Sequence, residues 1–270
     1  MKENIENTVL AIVSHPDDAE LLCAGTLALL KDRGWKIEMA TMTAGDGGTA
    51  TLSAEEISRI RRKEAATSAA RLDANYHCLE CEDIFILYEK STLLKVIELV
   101  RKVRPRIVFT MSPSCYMVDH EITSKLIQTA CFSAGVKNIA TTSPPLFSIP
   151  HLYYLDALEG KDRLGNAVEA AIVVDISDKI DLKEQMLACH ESQSGWLRDH
   201  HGMDEYIISM RSFSAKQGHA VNAEYGEGFR QHLGHAFPQD NLLAKELGEL
   251  VKFPVKTLTN DNYKHVHENI

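Results

Sequence analysis

No stretch of this 270-residue chain is apolar for long enough to span a bilayer. The start, Met1-Lys2-Glu3-Asn4-Ile5-Glu6-Asn7, lacks the apolar segment of a secretory signal, so a cytoplasmic protein with no membrane partner is expected. Positive charge is short as well. Against 38 Asp and Glu stand 29 Lys and Arg, a formal net charge of −9, and such a field repels nucleic-acid phosphates rather than collecting them. Nucleic acid is therefore not an expected partner. Six cysteines are too few for a disulfide framework at this length. Cys23, Cys131 and Cys189 fall in patterns that read as helices, which predicts buried thiols. The single Cys78-Leu79-Glu80-Cys81 pair has no second pair to complete a zinc ribbon, and it closes a strand instead of opening a helix, against a redox motif. Repeats, low-complexity tracts and linkers are absent too. One domain over residues 1–270 follows, with a core of about 8–200 and a helical or irregular extension from about 201 to 270.

What is present is ordinary globular composition, 44% hydrophobic and 25% charged, arranged in alternating patterns. Thr8 to Val13 is a continuous apolar run of strand length, a pattern that suits a strand covered on both faces. Residues 19–32 read as a helix stopped at Gly34, residues 36–42 as a strand, and residues 53–72 as a helix opened by the Ser53/Glu56 capping box. Strand, helix and strand follow over 75–79, 93–103 and 106–111, then a helix from about 119 to 134. Two later strands are expected at 151–155 and 170–176. Strands alternating with helices predict an α/β fold, a Rossmann-like, mostly parallel sheet with helices on both faces.

In such a sheet, sites form beyond the carboxyl ends of the strands, where strand order reverses. A dinucleotide-binding protein would carry glycines at the first such turn, to admit a phosphate to the helix N-terminus. This chain has Ser14-His15-Pro16-Asp17-Asp18-Ala19-Glu20 there. Two adjacent carboxylates repel phosphate and, with His15, suit a cation. Helix capping would account for one aspartate but not for the second or for the histidine. A further ligand stands at the equivalent place after the 106–111 strand, in Asp119-His120. If those two strands flank the reversal point, His15, Asp18 and His120 converge. Two imidazoles and one carboxylate make the three-ligand set of a catalytic zinc site, with Asp17 left over as a general base.

These residues carry a family resemblance. His15-Pro16-Asp17-Asp18-Ala19-Glu20 after the first strand resembles the His-Pro-Asp-Asp-x-Glu mark of the PIG-L or LmbE-like metal-dependent N-acetylglucosamine deacetylases. Asp119-His120 matches that family's second element. Thr43-Ala44-Gly45-Asp46-Gly47, Arg61-Arg62-Lys63-Glu64 and His190-Glu191-Ser192-Gln193 add support over most of residues 8–200. The resemblance implies a divalent metal held by His15, Asp18 and His120, zinc first and Fe2+ or another divalent ion as alternatives. It implies Asp17 as base, an N-acetylated sugar or glycoconjugate as substrate, and Arg61 as a substrate contact, beside the equal reading of Arg61 as a solvated helix charge paired with Glu64 or a neighbouring acid. Asp119 is expected to orient a neighbouring imidazole or cation. Gly45 and Asp46, on the glycine-rich loop at the same rim, are expected to meet the sugar.

One position departs from the family. Where many members have a histidine three residues before the last ligand, this chain has Met117, whose thioether is neither acid nor donor. Tyr116 and His190 are the candidate replacements. A metal-containing sugar-binding or sensing protein with little hydrolysis is the competing reading, and the presence of Asp17 weighs against it. Of twelve histidines, then, His15 and His120 are expected ligands and His190 a helper. Those between Trp196 and Gly202, with His265 and His267, carry no special role. The Gly228–His235 stretch, with Phe237, is a candidate to line the cleft or to reach a neighbouring subunit of a homo-oligomer.

Overall fold

The computed structural model describes residues 6–193 and 206–254. The Trp196–Gly202 segment, His265 and His267 lie outside the described residues. In chain order the strands are β1 (Thr8–Val13), β2 (Lys36–Thr43), β3 (Asn75–Cys81), β4 (Ile107–Thr110), β5 (His151–Leu155), β6 (Ile172–Asp175), β7 (Gly226–Gln231) and β8 (Val251–Lys252). The helices are α1 (Asp18–Leu22), α2 (Ala24–Asp32), α3 (Ala54–Ala70), α4 (Lys90–Val103), α5 (Val118–Ser133), α6 (Ile180–Leu187), α7 (Tyr206–His219) and α8 (Leu242–Leu247).

All eight strands form one sheet in the order β3-β2-β1-β4-β5-β7-β6-β8. The first five in that order are parallel; β7 runs antiparallel to β5 and β6, and β8 antiparallel to β6. Strand order reverses between β1 and β4, which pair directly with Val9 opposite Ile107. Every residue of β1 is buried. Alternate side chains feed two cores: Val9, Ala11 and Val13 join α1, α2 and α6, whereas Leu10 and Ile12 join α4 and α5. Burying a side chain of this kind contributes about 1.5–3 kcal/mol, so the continuous apolar run has its reason in two covered faces. Among the described residues no helix is long and apolar enough to cross a membrane.

Three expectations are corrected here. The helix read over 19–32 is two helices, because Cys23 leaves the helical region at φ −147°, ψ 7°. That break frees the N–H groups of Gly25 and Thr26, which a continuous helix would have bonded internally. The Glu227 carboxylate from β7 accepts both, at 2.9 and 2.7 Å, and also takes the Lys183 ammonium at 2.7 Å. The extension from about 201 is not only helical or irregular: among its described residues α7 and α8 are helices, but β7 sits inside the sheet, and Phe229 and Phe237 belong to the two cores rather than to a cleft. Cys189 and His190 lie in the turn after α6, not on a helix. All six cysteines are free.

Lys183 and Glu227 are each about 1% exposed, so removing one partner strands a buried charge. Glu227→Ala is expected to lower stability by about 3 kcal/mol, read as a fall in the urea midpoint. An unchanged midpoint would show that water reaches Lys183.

Candidate metal and catalytic site

The turn after β1 carries its first motif in an unusual backbone. Asp17 adopts φ 102°, ψ −27°, a conformation that non-glycine residues rarely take. It stands at the N-cap position of α1, yet its side chain makes no capping bond there. The capping explanation for this aspartate therefore fails. Asp18 Oδ2 accepts the His15 backbone N–H at 2.8 Å, closing the turn on itself. Ser14 Oγ donates to Asp119 O and to Thr123 Oγ1, at 3.2 and 2.9 Å, and so ties the β1 turn to α5.

The adjacency of β1 and β4 brings the two motifs together. His15 Nδ1 lies 3.4 Å from Asp18 Oδ2, His120 Nε2 lies 3.5 Å from Asp18 Oδ1, and the imidazole centroids are 5.4 Å apart. One potential ligand atom from each of His15, Asp18 and His120 falls within 4.8 Å of the others, and all three residues are buried. His120 Nε2 has no hydrogen-bond partner. A buried imidazole nitrogen left bare costs about 1–3 kcal/mol, and a cation held with Asp18 and His15 removes that cost. Burial works against charge on Asp18, but His120 and His15 hold its carboxyl down to about 2. It is thus an anionic ligand at neutral pH.

A second triplet, His15, Asp83 and Asp119, shares the first histidine. His15 Nε2 lies 3.0 Å from Asp83 Oδ1 and 3.3 Å from Asp119 Oδ2. Here the carboxylates are already engaged: Asp119 Oδ2 accepts the Ile84 N–H at 2.8 Å, and Asp83 Oδ2 the Gly47 N–H at 3.2 Å. The unpartnered nitrogen belongs to His120, so a metal fits the first triplet better. Asp119 and Asp83 stand on the far side of the His15 ring.

Asp83 was not visible as a site residue in the sequence, where Glu82-Asp83 is a short acidic step with no ligand spacing. It arrives through the loop after β3, held by its own N–H to Asp46 Oδ1 at 2.9 Å. Asp46 therefore braces Asp83. Gly45 and Gly48 close over Arg61: a Cβ on Gly45, whose φ is +71°, would stand 2.1 Å from the guanidinium, and one on Gly48 2.5 Å. Arg61 is itself buried, donating to Pro16 O at 2.8 Å, Gly45 O at 3.2 Å and Asp17 Oδ2 at 3.4 Å. Its Nε is buried without a partner.

Asp17 lies 3.4 Å from Arg61 and within electrostatic reach of His190. Burial, reinforced by Asp18, raises the Asp17 carboxyl above its ordinary value against the pull of Arg61. His190 is buried with Nε2 3.2 Å from Glu20 Oε1, and Ser68 Oγ donates to the same oxygen at 2.6 Å. Burial opposes a charge on His190, and Glu20 with Asp17 offsets it, raising the imidazole. His190 thus faces the glutamate of the first motif, and Asp17 feels its charge. Tyr116 stands at the rim, about half exposed, its ring centroid 6.3 Å from that of His120.

The sequence and the fold have known relatives. A family model described as GlcNAc-PI de-N-acetylase matches residues 10–131. The uncharacterized deacetylase YaiS of Escherichia coli is 30% identical over 139 residues, 47% of this chain and 70% of that protein. The chain belongs to the PIG-L family. A longer similarity runs to the diacetylchitobiose deacetylase of Thermococcus kodakarensis, which is 28% identical over 197 residues, 68% of this chain and 69% of that protein. In structure it resembles the N,N'-diacetylchitobiose deacetylase of Pyrococcus horikoshii, with a TM-score of 0.73 and 26% identity, over 86% of this chain and 87% of that one. Both PIG-L sequence elements, at His15–Glu20 and at Asp119-His120, lie within the matched segment.

Proposed function

We propose that this chain is a metal-dependent amide hydrolase that removes the acetyl group from an N-acetylglucosamine-type sugar or conjugate. The observation that carries it is the buried His15, Asp18 and His120 cluster, with His120 Nε2 bare and Asp17, whose side chain makes no capping bond, adjacent in sequence. Relatives named for deacetylation of acetylated sugars support the substrate class. His15, Asp18 and His120 would hold the metal, and the nitrogen and oxygen donor set suits zinc, with Fe2+ as the alternative. When bound, such an ion polarises the acetamide carbonyl and lowers the pKa of water from about 15.7 to about 7.

The remaining steps belong to the protein. Asp17 accepts the proton of the attacking water as the new C–O bond forms, and it returns that proton to the amine nitrogen as the C–N bond breaks. A carboxyl raised by burial is a better base for this task than an exposed one, and Arg61 keeps it aimed. Asp119 and Asp83 hold the His15 ring from behind. Tyr116 supplies the neutral O–H donor that Met117 cannot. Its phenol, pushed up to about 12 by burial first and then by Asp18, keeps its proton at neutral pH. His190, paired with Glu20, acts on Asp17 through charge. The Gly45–Asp46 loop would meet the sugar's polar groups, and Arg61, buried beneath Gly45 and Gly48, would act on Asp17 rather than on the sugar.

Acetate release from a panel of N-acetylglucosamine, diacetylchitobiose and N-acetylglucosaminides tests this reading. At least one member should yield acetate, chelation should stop it, and added zinc or Fe2+ should restore it. A protein that holds one metal per chain and binds a sugar, yet frees no acetate from any member, would instead be a binding protein.

A further inference from the structure

The two imidazoles of the proposed metal site rest on different chemistry. His15 is backed by carboxylates, with Asp83 and Asp119 facing its Nε2 at 3.0 and 3.3 Å. His120 is not. Its Nδ1 lies 3.2 Å from Cys115 Sγ, five residues back in the loop between β4 and α5. Both side chains are about 1% exposed.

The loop holds the sulfur in place. Cys115 N donates to Glu121 Oε1 at 3.3 Å, Ser112 Oγ donates to Ser114 O at 2.6 Å, and Arg230 Nη2 donates to Ser112 Oγ at 2.7 Å. A glutamate from α5 and an arginine from β7 therefore converge on the few residues that place this thiol.

The bare atom of His120 decides what the thiol is for. Nε2 is buried, unpartnered and turned toward Asp18. For Nε2 to present a lone pair there, the ring proton must sit on Nδ1, because a neutral imidazole carries only one. The acceptor in reach of that proton is the Cys115 sulfur. Metal-binding histidines ordinarily give their second N–H to a carboxylate, a backbone carbonyl or water, each a stronger acceptor than sulfur.

We infer that Cys115 is the positioning residue of His120, fixing the Nδ1–H tautomer and aiming Nε2 at the metal, in the place where a carboxylate or carbonyl ordinarily stands. The inference rests on the reading of His120 as a ligand. Buried at about 1% exposure, the thiol acts through the imidazole.

Zinc affinity, measured by competition with a chromophoric chelator, and the visible absorption of the cobalt-loaded protein test it without reference to turnover. Cys115→Ala should weaken zinc binding about 10–100-fold, the usual effect of removing an outer partner, and should shift the cobalt bands. Cys115→Ser, which restores an acceptor, should recover part of the affinity. Wild-type affinity and an unchanged cobalt spectrum in a folded Cys115→Ala protein would overturn the inference. If that variant does not fold, the long-range proton–nitrogen spectrum of the zinc-loaded wild type decides. A proton on His120 Nδ1 supports the assignment, and a bare or metal-bound Nδ1 overturns it. Wild-type protein that takes up no zinc would instead sink the ligand reading itself, a failure distinct from the others.

Discussion

Replacing Asp17 by asparagine should lower the deacetylation rate about 10²–10⁴-fold, the range that a positioned general base contributes, while leaving metal content unchanged. Asparagine is the informative substitution because the backbone at this position has φ 102°. Asparagine tolerates positive φ better than most residues, whereas alanine would add strain to a loss of chemistry. The amide keeps an oxygen for Arg61, which lies 3.4 Å from Asp17 Oδ2, and cannot accept a proton in its place. The effect should fall on kcat rather than on KM, since the proton moves in the transition state. Single-substrate acetate assays on metal-loaded protein measure it. Activity within a few-fold of wild type would assign the base elsewhere.

Asp18→Ala should fail in the opposite way. Asp18 stands between the two histidines, 3.4 Å from one and 3.5 Å from the other, and is the one carboxylate of the triplet. Losing a ligand of a three-ligand site should cost more than the roughly 10–100-fold that an outer partner costs. Metal should then be absent from the purified protein, and activity with it. The substitution also frees the His15 N–H that Asp18 accepts at 2.8 Å, so the turn loosens as well. Metal analysis beside the Asp17→Asn protein separates the two aspartates. If Asp17→Asn lost the metal and Asp18→Ala kept it, the two roles would have to be exchanged.

The contrast between these neighbours shows which parts of the site were legible along the chain. Adjacent aspartates after an apolar strand, with a histidine before them, have no structural reason to recur together, so the cation reading stood on the residues alone. Asp83 and Cys115 carried no such pattern. Asp83 reaches His15 because the loop after β3 is pinned by Asp46, and Cys115 reaches His120 because its own loop folds inward on Glu121. Arg61 was read as a substrate contact, yet its N–H groups mostly serve Pro16, Gly45 and Asp17. A helix pattern shows which residues share a side, but not what lies across from it.

The fold divides along the same line. The parallel half was readable because strands covered on both faces must be apolar throughout and the helices between them carry their own period. β7 was not readable. Gly226-Glu227-Gly228-Phe229-Arg230-Gln231 has the composition of a loop, and its glycines are there for distant neighbours. A Cβ on Gly228 would stand 2.1 Å from Asp156 Oδ2, and one on Gly226 2.6 Å from Val173. Glu227 likewise caps a helix some two hundred residues away.

The sequence by itself determined the element types of the parallel half, the acidic and histidine-bearing turn after β1, and the second motif at the start of α5. These are local properties, set by periodicity, capping and the chemistry of adjacent side chains. Only the tertiary structure decided that β1 and β4 are neighbours, that His120 presents a bare nitrogen to Asp18, and that a thiol stands behind it. Those facts depend on which strands pair and on how loops from distant parts of the chain close over one another, and no spacing along the chain encodes them.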